Sequence, residues 1–412
     1  MNPLVAAFPR FLSDRQLESL VSSWRRNFGE HPITIELWNG KRLRLGETPA
    51  ELVLSLRSPK ALNQLLSPSL ASLGAAYVEG ELDFEGRMSD AFRIVAGFVA
   101  ALSPAALRPR IRTARHTRQL DSESIAHHYD VSTDFYRLWL DDNLVYSCAY
   151  FRSDEDSLEQ AQIQKIDHIL NKIQLRPGER LLDIGCGWGA LVLRAAQHYG
   201  ARCVGITLSR QQYEEATRRV HAAGVQDRCE IRLQDYRDVD ESFDKITSVG
   251  MFEHVGLKNL RGYFRKIHDL MPDGGVALNH GITSTDAESG ATPYGGGDFI
   301  GRYVFPNGEL PHIGLVLKEM SAAGLESTDV ENLRRHYAQT LERWTDRFEN
   351  NADALRKIAG DKSFRIWRAY LAGCAYGFAH QWISLYQIVA CKPGGTNEYP
   401  LPMTRDYMYG AP

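Results

Sequence analysis

The sequence lacks the features of several familiar protein classes. Its six cysteines are scattered and no two have CxxC spacing, so we expect neither a zinc site nor a small disulfide-rich domain. Its 48 basic and 51 acidic residues give a net charge of −3, which provides no overall positive field for nucleic acid. No run approaches the roughly 20 apolar residues that span a bilayer. The first ten residues lack a basic region followed by an apolar run, so we expect no signal peptide and a cytoplasmic location.

Two regions of the chain differ in pattern. With 412 residues, 43% of them hydrophobic, the chain is long enough for two folded units, which we place at 1–120 and 121–412. In the first unit, Ile33–Trp38 and Lys41–Leu45 flank an Asn-Gly turn, which predicts a β-hairpin. Ala91–Leu102 is apolar nearly all round and predicts a buried helix, with a lipid-facing helix as the alternative.

An arginine-rich stretch follows this helix. Arg108–Arg118 contains five arginines and no acidic residue. It is either a solvated linker or a landing site for anionic phospholipid, where each basic residue contributes ~1 kcal/mol near the surface. The second interpretation predicts peripheral contact with a membrane.

Beyond residue 120, short apolar runs alternate with longer helical periods. This β-α-β-α order predicts a doubly wound, mostly parallel sheet. Gly281–His312 is rich in Gly, Ser and Thr and predicts a long loop, and Leu385–Ala390 predicts the last strand. The other predicted strands are Leu181–Ile184, Arg202–Ile206, Cys229–Leu233, Phe243–Val249 and Gly275–His280; the predicted helices are Ala190–His198, one capped by Ser209 and ending near Gly224, Leu257–Leu270, Ile313–Ala323, Tyr337–Asn350 and Phe364–Trp382.

The sharpest local signal is the glycine-rich sequence Leu182-Asp-Ile-Gly-Cys-Gly-Trp-Gly189, which joins a strand to a helix. Its GxGxG spacing differs from the GxGxxG of dinucleotide sites, and no acidic residue ends the second strand at Ile206-Thr-Leu-Ser209. A nicotinamide cofactor is therefore disfavoured, and a purely structural turn is the other alternative. The pattern Asp-x-Gly-x-Gly-x-Gly resembles the signature of class I methyltransferases, which implies a Rossmann-like fold and S-adenosylmethionine.

That resemblance implies a set of cofactor-binding residues. The loop from Asp183 to Gly189, including Gly185, Cys186 and Gly187, would surround the amino-acid end of the cofactor. Residues after the second and third strands would lie near the ribose and adenine, although an acid after a strand can also cap a neighbouring amide. These residues are Thr207 and Gln212 for the ribose, and Asp235 and Tyr236 for the adenine.

Several further segments occur together in one order. They resemble the cyclopropane-fatty-acid synthase family and its mycolic-acid cyclopropane synthase relatives over roughly 121–391, and much more weakly over 1–120. The resemblance implies that the last strand of the sheet is antiparallel. The segments are His128-Tyr-Asp130, Tyr146-Ser-Cys-Ala-Tyr-Phe151, Leu182–Gly189, Gln234-Asp-Tyr-Arg-Asp238, Val249-Gly-Met-Phe-Glu-His-Val-Gly256 and Phe305-Pro-Asn-Gly308.

The family resemblance implies a mechanism and its residues. An alkene in an acyl chain attacks the sulfonium methyl, and the cation closes to a cyclopropane when a base, in this family a bound bicarbonate ion, removes a proton. By the same resemblance, Tyr146 and Ser147 contact the cofactor. The residues implied around the bicarbonate are Cys148 through its amide, Glu253, His280, Ile282 through its backbone, and Tyr337.

Each of these residues has a simpler alternative role. Cys148 alone would most often be a small buried hydrophobe, Glu253 could cap a helix, His280 could be an ordinary core histidine, and Tyr337 could be a helix-face aromatic. Their joint occurrence favours the functional interpretation. One departure from the family pattern is Gly281, directly after His280.

The sequence therefore predicts an S-adenosylmethionine-dependent methyltransferase that forms cyclopropane rings on unsaturated acyl chains of membrane phospholipids. We expect peripheral association with the inner face of the membrane, and a homodimer remains open. The alternatives are a related enzyme that gives a methyl-branched chain, and a non-catalytic lipid-binding module.

Overall fold

The computed structural model describes residues 33–45, 52–66, 68–102, 132–288, 290, 292–306, 308–394 and 400–409, together with residues 19 and 22. Three features of the sequence lie outside these residues: the arginine-rich stretch 108–118, the domain boundary near residue 120, and the motif at 128–130. Two β-sheets organise the described chain.

The first sheet is small and belongs to the N-terminal region. Its strands, in the order β2-β1-β3-β4, are β1 (Ile33–Glu36), β2 (Arg42–Arg44), β3 (Leu52–Leu56) and β4 (Leu82–Glu85). β1 and β2 pair antiparallel around the turn at Gly40, which confirms the predicted hairpin.

Among the described residues, three helices accompany the small sheet: α1 (Pro59–Leu66), α2 (Leu70–Val78) and α3 (Met88–Leu102). Ile94, Phe98 and Val99 of α3 are buried in the core, so the buried interpretation of this apolar helix is confirmed. The small unit contacts the C-terminal part of the chain through an ion pair in which Arg365 donates to Asp83 at 2.9 Å.

The second sheet contains seven strands within the described residues, in the order β10-β11-β9-β8-β5-β6-β7. β5 to β9 pair in parallel, and β11 is antiparallel to both of its neighbours, which confirms the doubly wound sheet with an antiparallel last strand. The strands are β5 (Arg180–Ile184), β6 (Arg202–Thr207), β7 (Cys229–Leu233), β8 (Lys245–Val249), β9 (Val276–Ser284), β10 (Glu326–Asn332) and β11 (Ile383–Cys391).

The six predicted helices of this unit all form, although the last begins at Ala352 instead of Phe364 and ends at Ala379. Ser209 caps the helix Arg210–Ala222, because its side chain accepts from the amide of Gln212, as predicted.

Gly360, with φ 78° and ψ 162°, interrupts the last helix of the unit. The helices are α4 (Thr133–Arg137), α5 (Leu158–Lys172), α6 (Ala190–His198), α7 (Arg210–Ala222), α8 (Leu260–Asp269), α9 (Gly296–Tyr303), α10 (Ile313–Ala322), α11 (Arg334–Asn350) and α12 (Ala352–Ala379).

The predicted loop Gly281–His312 was wrong at two places. β9 continues through Gly281 to Ser284, and α9 forms at Gly296–Tyr303. Gly281 does not break the strand. Instead it makes room for the ring of Phe252, whose Cε1 lies 1.6 Å from the position that a Cβ at residue 281 would occupy. A glycine that favoured a loop in the sequence therefore serves close packing in the structure.

Candidate active site

A cavity of about 630 Å³ opens at the carboxyl ends of the parallel strands. The chain runs from β5 outward through β6 and β7, and then returns to β8 on the other side of β5, so the cavity lies at the topological switch point where doubly wound sheets bind ligands. Ten of the eleven residues predicted to bind the cofactor line this cavity: Tyr146, Ser147, Asp183, Gly185, Cys186, Gly187, Thr207, Gln212, Asp235 and Tyr236.

The glycine-rich loop forms one wall of the cavity. Gly187 has φ +55°, and a Cβ at this position would meet no protein atom within 4 Å, so the backbone is open to a ligand there. Gly189 does not line the cavity. Its missing side chain instead permits close packing, because a Cβ would lie 3.2 Å from that of Ala216 on α7.

Asp183, the last acidic residue before the loop, is buried at the base of the cavity. One of its carboxylate oxygens accepts from the hydroxyl of Thr247 at 2.8 Å. Burial raises the pKa of Asp183 to about 6, although the hydrogen bond from Thr247 and the charge of Lys165 oppose the rise. Asp183 is therefore ionised at neutral pH and would attract a cationic group of a ligand.

Residues that follow β6 and β7 also line the cavity. The hydroxyl of Thr207 donates to the side-chain oxygen of Gln212 at 2.9 Å. Asp235 accepts from the amide of Arg237 at 2.9 Å and forms an ion pair with its guanidinium at 2.6 Å. Asp235 thus has the capping role that was the alternative to adenine binding, while it and Tyr236 also line the cavity.

The segment Tyr146–Cys148 is held against the cavity by α5. Gln162 donates to the carbonyl of Ser147 at 2.9 Å, and the ammonium of Lys165 donates to the Ser147 hydroxyl at 2.7 Å. The hydroxyl of Tyr146 lies 3.2 Å from that of Tyr370. Burial raises the pKa of the Cys148 thiol, so the thiolate is disfavoured and this side chain is not suited to act as a nucleophile.

Glu253 lies in a short 3₁₀ turn after β8 and is buried. Its Oε1 accepts from the amide of Ile282 at 2.7 Å, so this amide, predicted to contact the ion, holds the carboxylate in place. Its Oε2 is buried and has no hydrogen-bond partner among the residues that the structure describes. Burial raises the pKa of Glu253 to about 7, which allows the group to exchange a proton near neutral pH.

His280, near the middle of β9, is also buried, and its Nε2 has no hydrogen-bond partner within the described part of the chain. Its Nδ1 lies 3.2 Å from the amide nitrogen of Gln387 on β11. Because an amide nitrogen can only donate, Nδ1 accepts, and the proton of the neutral ring is assigned to Nε2. Burial lowers the pKa of His280, so the ring is neutral and Nε2 offers a donor without a partner.

Tyr337 extends from α11 into an aromatic cluster, with its ring centroid 4.6 Å from that of Phe378. Burial raises its pKa well above the ordinary value, so the hydroxyl remains a hydrogen-bond donor. Tyr337 and Cys148 belong to the same buried hydrophobic cluster.

Of the five residues predicted to surround bicarbonate, Cys148, Glu253, His280 and Tyr337 are buried and Ile282 is partly buried, and none of the five lines the 630 Å³ cavity itself. Their sequence neighbours Ser147, Met251 and His254 do line it. Among the described residues, the acceptor Glu253 Oε2 and the donor His280 Nε2 lack partners, and a small anion that can also donate a proton would offer a complement to each. This chemistry suits bicarbonate, and the cavity suits S-adenosylmethionine.

Comparison with known proteins identifies the family. The family model for mycolic acid cyclopropane synthetase matches residues 116–388, and a domain of unknown function, DUF7884, matches residues 22–97. The chain belongs to the mycolic acid cyclopropane synthetase family. This membership confirms the family resemblance, and the chain is an S-adenosylmethionine-dependent methyltransferase whose reaction is methylene transfer to acyl chains.

Individual members of the family match much of the chain. A protein of Pseudomonas putida described as "Probable fatty acid methyltransferase" is 44% identical over 380 residues, which is 92% of this chain and 96% of the relative. The cyclopropane-fatty-acyl-phospholipid synthase of Escherichia coli K12 is 33% identical over 350 residues, covering 84% and 88% of the two chains. The solved mycolic acid cyclopropane synthase CmaA1, in complex with SAH and CTAB, superposes with a TM-score of 0.63 at 36% identity, covering 66% of this chain and 98% of that one.

The structure adds residues that the sequence did not single out. Lys165 and Gln162 hold the Tyr146–Cys148 segment, and Gln387 orients His280. A signal for the first two was present, because α5 places polar side chains at helical spacing along its buried face. Within the described residues, no helix is long and apolar enough to cross a membrane.

Proposed function

We propose that this enzyme adds a methylene group across the cis double bond of unsaturated acyl chains in phospholipids and so forms a cyclopropane ring. The observation that supports this most directly is that two buried polar atoms, Glu253 Oε2 and His280 Nε2, have no hydrogen-bond partner among the described residues. The phospholipid substrate is supported by the name of the Escherichia coli relative, which aligns over 84% of the chain.

The cofactor site is proposed from the residues of the cavity wall. Asp183, Gly185 and Gly187 would hold the amino-acid end, Thr207 with Gln212 the ribose, and Asp235 with Tyr236 the adenine. When bound, S-adenosylmethionine supplies an electrophilic sulfonium methyl group. The residues around it have to align that methyl with the double bond and exclude water from the developing cation.

The aromatic cluster suits this second task. Trp139, Tyr146, Trp344 and Trp367 form a continuous group of rings, with Trp139 and Tyr146 at a centroid distance of 5.4 Å. Rings of this kind exclude water, and their negative faces stabilise a nearby cation.

The base is proposed to be bicarbonate held by the buried polar group. Glu253 would accept a hydrogen bond from the ion, and His280 and Tyr337 would donate to it, with the amide of Cys148 as a fourth contact. When bound there, the ion supplies a base inside a site of low polarity, where an anion beside a cation is strongly favoured. The competing proposal is that Glu253 itself is the base, which its pKa of about 7 would permit.

A second product is favoured by one comparison. The Pseudomonas putida relative aligns over 92% of this chain, and its name, "Probable fatty acid methyltransferase", does not mention a cyclopropane. A methyl-branched acyl chain therefore remains the alternative product of the same site. The buried polar group opposes a non-catalytic lipid-binding module, because such a module has no need of unpartnered buried polar atoms.

The experiment is mass spectrometry of host lipids with and without expression of the wild-type enzyme, with Glu253→Gln as the matched control. The proposal predicts unsaturated chains that gain the mass of one CH₂ group and resist mild hydrogenation. A chain that gains the same mass but takes up hydrogen would indicate a branched alkene instead, because loss of a proton from the cation without ring closure leaves a double bond. Unchanged lipids in cells that contain folded wild-type enzyme would refute both proposals.

Membrane attachment is proposed to be peripheral, at the inner face of the cytoplasmic membrane, with the N-terminal unit 1–120 as the lipid-interacting domain. Arg108–Arg118 would supply the charge. Sedimentation with anionic vesicles should then decrease as salt increases, because salt screens exposed charges. Equal binding to neutral and anionic vesicles at every salt concentration would contradict a contribution from these arginines. A homodimer is also proposed, and light scattering of the purified chain would test it.

A further inference from the structure

Lys165 is a buried cation in the wall of the cofactor cavity. Its side chain projects from α5, is only 2% exposed, and lines the cavity. Its ammonium donates to the hydroxyl of Ser147 at 2.7 Å. Lysine is rarely buried to this degree without an anionic partner, so its environment needs an explanation.

No carboxylate of the described residues lies within ion-pairing distance of Lys165. Asp141 and Asp183 act on its charge from farther away, but both have other partners. The carboxylate of Asp141 accepts from the amides of Asn143 and Val145, at 2.9 and 2.8 Å, and that of Asp183 accepts from Thr247. Burial lowers the pKa of Lys165 to about 8, which reflects a cation that has lost water without gaining an adjacent anion.

The amino-acid end of S-adenosylmethionine provides the missing charge. That end carries an ammonium group and a carboxylate side by side. Asp183, a buried carboxylate at the base of the cavity, complements the ammonium. Lys165 and the Ser147 hydroxyl complement the carboxylate, since a buried carboxylate requires charge and hydrogen bonds together.

We propose that Lys165, together with Ser147, binds the carboxylate of the methionyl group of the cofactor. The inference rests on the proposed position of the cofactor along Asp183–Gly189. It assigns Lys165 a role in recognising the cofactor, whereas the alternative is that Lys165 only holds Ser147 and the Tyr146–Cys148 segment in place.

Calorimetry with two ligands separates these roles. The ligands are S-adenosylhomocysteine and its decarboxylated form, which keeps the ammonium and lacks only the carboxylate. Wild-type enzyme should prefer the complete ligand by roughly 10- to 100-fold, the range expected for a charged hydrogen bond. Lys165→Met should lose most of this preference, because its affinity for the complete ligand falls while that for the decarboxylated ligand does not.

Lys258→Met is the matched control. Lys258 also lines the cavity but is exposed, so its removal should alter the affinities for both ligands by a similar factor. An equal loss of affinity for both ligands in Lys165→Met would leave the preference unchanged and overturn the inference in favour of a structural role. Unchanged affinities for both ligands would also overturn it, because Lys165 would then contribute nothing to cofactor binding. Failure of the wild-type enzyme to bind S-adenosylhomocysteine would instead refute the proposed cofactor site. The melting temperature of Lys165→Met shows whether this variant has a folding defect. If it does, Ser147→Ala, which removes the hydroxyl that Lys165 contacts, should still reduce the preference for S-adenosylhomocysteine over its decarboxylated form.

Discussion

Replacing Glu253 with glutamine should slow the reaction and at the same time stabilise the fold at alkaline pH. The carboxylate is buried, with one oxygen bonded to the amide of Ile282 and the other without a partner. Glutamine keeps the shape and the acceptor for that amide, but it removes the charge. The two effects have opposite signs because the reaction needs the ionised carboxylate, whereas folding is opposed by it.

The size of the stability effect follows from the pKa of the carboxyl group, which rises from 4.5 to about 7 on burial. Below the unfolded pKa, both states are protonated and the group imposes no penalty. As the pH rises toward 7, the unfolded state ionises first, so the free energy of unfolding falls. One pKa unit corresponds to about 1.4 kcal/mol, so the loss is complete above pH 7 at about 3 kcal/mol.

The assay is urea denaturation of wild type and Glu253→Gln at pH 5 and pH 8. The wild type should lose about 2–3 kcal/mol more between these pH values than the variant does. Glu309→Gln is the control, because Glu309 accepts from the amide of Leu257 at 2.8 Å but is less buried. Parallel pH profiles for wild type and Glu253→Gln would refute the perturbed carboxylate.

The catalytic half of the prediction is measured separately. Turnover by Glu253→Gln should fall by ~10² if proton transfer and positioning both depend on the carboxylate. Calorimetry should give an unchanged affinity for S-adenosylhomocysteine, because Glu253 does not line the cofactor cavity. A normal turnover rate would remove Glu253 from the mechanism.

Three further predictions concern other parts of the molecule. Tyr337→Phe should bind the cofactor normally and turn over ~10² more slowly. Removal of carbon dioxide from the buffer should slow the wild-type enzyme until bicarbonate is added. Full activity without bicarbonate, together with a normal rate for this variant, would contradict the bound ion. Gly187→Val should abolish cofactor binding in calorimetry, because φ is +55° and the side chain would enter the cavity; an unchanged affinity would contradict the assignment. Lys172→Met should lower the free energy of unfolding by about 3–5 kcal/mol, because Lys172 is fully buried 2.6 Å from Glu331 and 3.0 Å from Asp329; a melting temperature equal to that of wild type would contradict this.

The sequence was sufficient for most of the Rossmann-like sheet because its strands are buried apolar runs. Arg202–Thr207 and Cys229–Leu233 lie within one residue of the predicted positions. β10 was missed for the opposite reason. Its sequence, Glu326–Asn332, is mostly polar and exposed, since this strand forms the edge of the sheet and pairs with β11 alone. An edge strand of this kind has little apolar alternation to recognise.

The site was predictable where residue type and motif determine it. It was less predictable where a contact with a residue distant in sequence determines it. The glycine loop could be located from its spacing, and ten of the eleven cofactor residues line one cavity. The function of Gly189 in packing against Ala216 depends on a contact with another helix. The orientation of His280 depends on Gln387, which lies 107 residues away in sequence. Such long-range contacts leave no local pattern.

The contact between Gly281 and Phe252 has a consequence for protein engineering. The ring of Phe252 packs against Gly281, and Glu253, the next residue, accepts a hydrogen bond from the amide of Ile282. These two adjacent contacts fix the turn at Phe252–His254 to β9. A chimera that exchanges the segment after Ser284 with that of a relative should keep the acid in position, provided that the junction leaves both pairs intact. A junction inside β9 that shifts the strand by one residue would break both contacts. We expect such a chimera to fold with the carboxylate of Glu253 out of position.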